Sequence, residues 1–232
     1  MLLLSVVVAL AASPKSAALW SRAPVATGRI QGNVVLSPAL SVRKPRIRMY
    51  GDYGPVPAPK PPPATEFANV VLYLDSVPTT DDSMGRSRRL EIQQQGEAFQ
   101  PHVLAVLRGT TVAFPNNDPV FHNVFSLSSA RTFDLGRYPK GTSKEVRFDR
   151  AGTVQVFCHI HSDMSAVVLV LDNPYFASPD STGRYAIPDV PDGDYTIVAW
   201  HERIKPVRQR VRVVAGRPAV MDFNIPLPAS SP

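Results

Sequence analysis

Apolar and polar residues alternate in short runs along most of the chain, and turn-forming residues close each run after a few positions. Several runs have the strand period of two, and no apolar series of any length follows the 3.6-residue spacing of a helix. The runs fall at 27–36, which contains a glycine break, at 67–75, and at 90–94, 103–107 and 111–114. Others fall at 144–148, 153–158 and 166–171, and a last group at 183–187, 195–201, 207–213 and 219–225. Within 153–158, Val154, Val156 and Cys158 share one face, which puts Cys158 at the inward end of a strand. Within 207–213, Arg208, Arg210 and Arg212 alternate with mostly apolar residues, the pattern of an outer strand with one wet face. The pattern predicts an all-β protein, a sandwich or a barrel. Residues 43–66, basic and then proline-rich, read as a long exposed loop, and 76–89 as a polar linker.

Composition narrows this picture. Hydrophobic residues make up 44% of the 232 positions and charged residues 19%, enough apolar matter for a packed core. The 24 prolines argue against long helices. The net charge is +6, but 88–172 carries only +1, so the basic excess lies outside that segment. The runs Arg43, Lys44, Arg46, Arg48 and Arg208, Arg210, Arg212 have no interleaved aromatics and no nucleic-acid motif beside them. They read as solvated faces, with an acidic protein or lipid surface as the alternative reading. Residues 1–12 are almost wholly apolar yet shorter than the roughly 20 residues a membrane-spanning helix needs. They match the apolar core of a secretory signal peptide covering 1–18, although no lysine or arginine precedes them. Cleavage could follow Ala9-Leu10-Ala11 or Ser16-Ala17-Ala18. No other stretch is long and apolar enough to span a bilayer, so no membrane span is expected after signal removal.

The chemistry concentrates in 154–164, VQVFCHIHSDM. A strand delivers Cys158 to a loop, His161 follows three residues on, and Met164 three residues after that. Upstream, His122 lies in PNNDPVFHNVF, read as a loop after another strand. Two imidazoles and a thiolate in a trigonal plane, with a weak axial thioether, make a blue-copper electron-transfer site. Thiolate and thioether are soft enough for Cu(I), and the imidazoles also suit Cu(II). One cysteine excludes an intrachain disulfide, a cysteine-rich zinc cluster and a dinuclear copper site bridged by two cysteines. Five histidines, with Phe157 on one flank of Cys158, exclude a multicopper oxidase's trinuclear cluster. No Ser-His-Asp or paired-carboxylate arrangement is present, so a catalyst is not expected.

Cys-x2-His-x2-Met with an upstream His-Asn resembles the cupredoxins over roughly 88–172, with a loop length closest to amicyanin. Gly109-Thr110, Phe114-Pro115-Asn116 and Phe133-Asp134-Leu135-Gly136 are similar to the periplasmic plastocyanin-like proteins of the methylamine-utilisation type. The resemblance implies a Greek-key β-sandwich holding one type 1 copper that cycles between Cu(II) and Cu(I). It implies ligation by His122, Cys158, His161 and Met164, and export to the bacterial periplasm. It further implies that Asn123 ties the two ligand loops together and that His161 is the edge through which electrons reach a partner protein. The chain departs from many relatives at Ser162-Asp163, where proline usually follows the downstream histidine. A single-electron carrier is the leading expectation, and a copper storage, delivery or sensing protein the alternative.

The flanking segments resemble a transthyretin-like, carboxypeptidase-regulatory-type domain: 27–36 and 67–75 look like its opening strands, and 178–200 like its later hairpin. This gives the expectation of a cupredoxin at 88–172 inserted into a second sandwich split between 27–80 and 174–226. Two independent end-to-end units are the competing arrangement. Trp200 reads as core of the second sandwich, and Tyr138-Pro139-Lys140-Gly141 as a turn. His159 is expected to point away from the Cys158 site, and His102 and His201 are expected to be surface or core residues.

Overall fold

The computed structural model describes residues 26–37, 66–75, 77 and 89–225. The signal-peptide reading of 1–18, the loop at 43–66 except Glu66, and most of the 76–89 linker lie outside the described residues. Eighteen strands and one short 3-10 turn make up the regular structure among the described residues, so the chain is all-β. The first strands are β1 (Thr27–Leu36) and β2 (Val71–Asp75). Then come β3 (Arg89–Glu91), β4 (Gln93–Gln94), β5 (Phe99–Gln100), β6 (Val103–Leu107) and β7 (Thr110–Pro115). They are followed by β8 (His122–Ser128), β9 (Arg131–Tyr138), β10 (Ser143–Phe148), β11 (Gly152–Phe157) and β12 (Ser165–Leu171). The last group is β13 (Phe176–Ala177), β14 (Arg184–Pro191), β15 (Gly193–Trp200), β16 (Val207–Val213), β17 (Pro218–Val220) and β18 (Phe223–Ile225).

The sheet β6-β12-β11-β8-β9 faces β10-β7-β3 across a core that includes Ile92, Phe114, Val124, Tyr138, Phe148 and Val156. Strand β1 pairs with β14 on one side and with β17 and then β18 on the other. Strand β2 lies between β13 and β15. These two sheets enclose a second core of Ile30, Leu72, Ile187, Ile197, Phe223 and their neighbours. The segments before residue 76 therefore share sheets with segments after residue 175.

Strand β12 explains how the cores connect. Its run SAVVLVL is buried on both faces. Ala166, Val168 and Val170 enter the first core. Val167, Leu169 and Leu171 join Val103 in a third cluster with Val71 and Trp200, and Tyr73 and Phe176 pack against it. A continuous apolar run is the signature of a strand covered on both sides. Trp200 accordingly sits at the junction of the two sandwiches rather than inside the second one. The alternating pattern of β15 sends it outward, opposite Ile197 and Ala199.

Three further elements differ from the sequence expectation. His122 opens strand β8 rather than lying in a loop, and Tyr138 ends β9, 2% exposed, rather than lying in a turn. Strand β8 carries apolar residues on both faces, with Leu127 fully on the outside at 78% exposure, so its period of two is blurred. The 3-10 turn Glu66–Asn69 replaces the start of the strand expected at 67–75.

An ion pair closes the rim of the junction. His102 Nε2 lies 2.8 Å from Glu202 Oε1, while its Nδ1 lies 2.9 Å from the Ser165 carbonyl. An imidazole with an acceptor at each nitrogen is held in its protonated form. The bond to Glu202 outweighs burial and raises the His102 pKa above its ordinary value, and the same bond lowers that of Glu202. A raised histidine pKa stabilises fully below the unfolded value of 6.5 and fades as pH rises through the folded value. A lowered glutamate pKa stabilises fully above 4.5 and fades as pH falls through the folded value. The pair thus contributes most between 4.5 and 6.5. Unfolding midpoints of wild type and His102→Gln should differ most in that window and converge as pH rises past it. A gap that stays constant on raising the pH would refute this role.

Candidate metal centre

The inward face of β11 runs Val154, Val156 and then Cys158, which is the first residue beyond the strand and 4% exposed. The chain then turns back tightly into β12. The Met164 amide donates to the His161 carbonyl at 3.0 Å and the Cys158 amide to the Met164 carbonyl at 3.3 Å. His122, fully buried at the start of β8, comes from the neighbouring strand of the same sheet. His161 is half-buried, and Val120 and Phe121, which immediately precede His122, are exposed.

The side chains of His122, Cys158 and His161 converge, with their ligand atoms all within 4.8 Å of one another. The two Nδ1 atoms are 3.1 Å apart, and Cys158 Sγ is 4.0 Å from that of His122 and 3.9 Å from that of His161. The point equidistant from these three atoms lies about 2.1 Å from each, in the range of metal–imidazole and metal–thiolate bonds. Two borderline nitrogens and one soft sulfur in such a triangle fit a single copper ion. Met164 is 1% exposed and belongs to the same core cluster as Cys158.

The electrostatics favour a thiolate. Burial pushes the Cys158 thiol up, but hydrogen bonds from the His122 and His161 rings outweigh it. With help from the amides of Asn123 and His161 they bring it to about 5. Burial opposes charge on His122, yet the Cys158 sulfur and the Asp118 carboxylate raise its pKa. A thiolate is the form that binds metal, so the site is prepared for one.

The loop before β8 is tightly specified. Asn116 donates to the carbonyls of Val120 and Tyr138 and accepts from the Asp118 amide. Asn123 joins the segments that carry His122 and Cys158, accepting from the His159 amide at 3.4 Å and donating to Asp134 at 2.7 Å. His159 lies outside the cluster, stacked on Phe125 with ring centroids 3.7 Å apart. His102 and His201 lie away from it, paired with Glu202 and Glu66. Asp118 is the residue that sequence reasoning passed over: its Oδ2 is 2.8 Å from His122 Nε2 and both side chains are buried. Its position four residues before His122 carries no signal in an irregular loop, where spacing does not set proximity.

No protein-family model and no curated protein matches this chain. Among solved structures, parts of it are similar to an amicyanin variant in its reduced Cu(I) form. Identity is 19% over 43% of this chain and 98% of that chain, with a TM-score of 0.35. A purple cupredoxin from Nitrosopumilus maritimus is 23% identical over 35% of this chain and 99% of its own, with a TM-score of 0.32. A copper-containing nitrite reductase from Thermus scotoductus is 19% identical over 60% of this chain and 28% of its own, with a TM-score of 0.35.

Proposed function

We propose that this protein carries single electrons through one type 1 copper held by His122, Cys158, His161 and Met164. The observation that carries the reading is the triangle of one sulfur and two Nδ1 atoms, spaced for one ion, with two of its three residues buried. Copper supplies the one-electron couple when bound. The chain's own part is to hold the ligands still. Cys158 and Met164 stand at the two ends of one short loop closed by backbone bonds, and His122 is fixed on an adjoining strand. A ligand set anchored on packed strands changes little between oxidation states, which keeps the reorganisation accompanying electron transfer small. His161, the least buried of the three, is the natural edge for exchange with a redox partner.

The proposal includes a division of labour: residues 88–172 form the copper module, carried within a second sandwich built from 27–80 and 174–226. The pairing of β1 with β14 and of β2 with β15 supports it. It also includes export, supported by the apolar run at 1–12. No helix among the described residues is long and apolar enough to cross a membrane. The test is a visible absorption spectrum of the Cu(II)-loaded protein with Cys158→Ala alongside. An intense band that a reductant bleaches and the variant lacks is the expected result. Copper binding without the band would move the reading to storage or delivery, and no copper binding would overturn the ligand set.

A further inference from the structure

Asp118 has more defined partners than any other carboxylate near the cluster. One oxygen accepts from the Gly96 amide at 2.6 Å, and the other from the Glu97 amide at 2.8 Å and from His122 Nε2 at 2.8 Å. Its own amide is held by the Asn116 side chain at 2.9 Å. Pro119 follows it, which restricts the Asp118 backbone.

The two gripping amides come from the tip of the β4–β5 hairpin. There Gly96 and Glu97 both adopt positive φ, 64° and 53°. The Gln95 amide closes this turn onto the Ala98 carbonyl at 2.9 Å. Two consecutive left-handed residues form the turn type that matches strand twist, but a glutamate in that region is uncommon. The conformation aims both N–H groups at one point, a small anion-holding nest. That point is occupied by the Asp118 carboxylate. A hairpin tip more than twenty positions away therefore clamps the carboxylate that faces the buried nitrogen of His122.

We infer that Asp118, clamped by the Gly96-Glu97 turn, is a positioning residue that sets the orientation and donor strength of His122 toward a bound copper ion. This inference rests on the copper reading above. With Nε2–H donated to a carboxylate, Nδ1 is the nitrogen that gives up its proton to a metal, and it is Nδ1 that faces Cys158 and His161. The bond also stops the ring from flipping, since the reverse orientation would take one of its three donors from a buried carboxylate. A negative charge transmitted through the imidazole strengthens the bond to the more highly charged ion. Asp118 therefore favours Cu(II) over Cu(I) and lowers the reduction potential.

The test compares the copper-loaded full chain with its Asp118→Asn variant, which is nearly isosteric and uncharged. Copper affinity should fall by about ten- to a hundredfold. The preference for Cu(II) over Cu(I) should fall at least tenfold, raising the potential by about 59 mV or more. The thiolate–copper band should persist but shift. A second measurement needs no variant: in the wild-type Cu(I) protein, NMR should show a His122 ring N–H in slow exchange with solvent. A wild-type protein lacking the band would fail the copper reading itself. A normal wild-type band would overturn only this inference if the potential were unchanged in Asp118→Asn, or if the ring proton exchanged as fast as that of a solvated histidine.

Discussion

Gly32→Ala should come close to unfolding the sandwich that contains β1. A Cβ at this position would lie 1.9 Å from the Met221 carbonyl oxygen and 2.6 Å from its carbon. The reason is a change of partner. Strand β1 pairs with β17 as far as Gln31 and with β18 from Val34, and the link between those strands crosses directly over Gly32. That link cannot easily retreat. The Met221 amide donates to Gln31 and its carbonyl accepts from Tyr185, while Asp222 accepts the Asn33 amide. Overpacking alone costs about 1–3 kcal/mol, and each hydrogen bond lost adds up to about 1 kcal/mol. A total of about 3 kcal/mol or more is a large part of the roughly 5–15 kcal/mol that holds a domain together. Denaturant unfolding of Gly32→Ala beside Gly136→Ala checks this. Gly136 has positive φ but nothing within 4 Å of a new Cβ, so that change should cost only about 1 kcal/mol. Equal losses in the two variants would refute the steric account.

The second large effect is thermal. On the proposed copper reading, the ion binds the folded chain and leaves when it unfolds, so copper at about a thousand times its dissociation constant adds about 4 kcal/mol. For a sandwich of this size that is a rise in unfolding temperature of roughly 15 °C or more. Chelating the metal should reverse the shift, and Cys158→Ala should abolish most of it. The metal-free protein is expected to remain folded, because the Cys158 sulfur is already compensated by two imidazoles and lies in a filled core. Scanning calorimetry with and without copper tests this. An unfolding temperature indifferent to copper would remove the basis for a resident ion.

Much of the architecture was legible along the chain because strands write their burial with a period of two. Strands β10, β11 and β16 stand within a residue or two of where alternation places them, and β1 and β12 equally near the runs that strand composition and continuous apolarity mark. Val154 and Val156 alone give Cys158 an inward position, and it is buried. Strands β8 and β9 were not legible. Phe125 and Leu127 look outward on β8 while Val124 and Ser126 look inward, so side-chain polarity there does not report the face. Trp200 shows the converse limit. Its inclusion in an apolar run announced burial but could not say against which sandwich.

The sequence by itself determined which donor atoms the chain can offer a metal. It carries one thiol, few imidazoles and a methionine at short spacing, and a loop of that length constrains where its ends can go. Proximity across the sequence was decided only by the fold. Thirty-six positions separate Cys158 from His122, whose facing atoms end 4.0 Å apart because their strands are neighbours in one sheet. Twenty-one separate Glu97 from Asp118, joined because a hairpin tip adopts a left-handed turn beside it. Local pattern encodes solvent preference and backbone conformation, each a property of adjacent residues. Which buried groups meet is set by sheet order and register, and those follow from packing the whole chain at once.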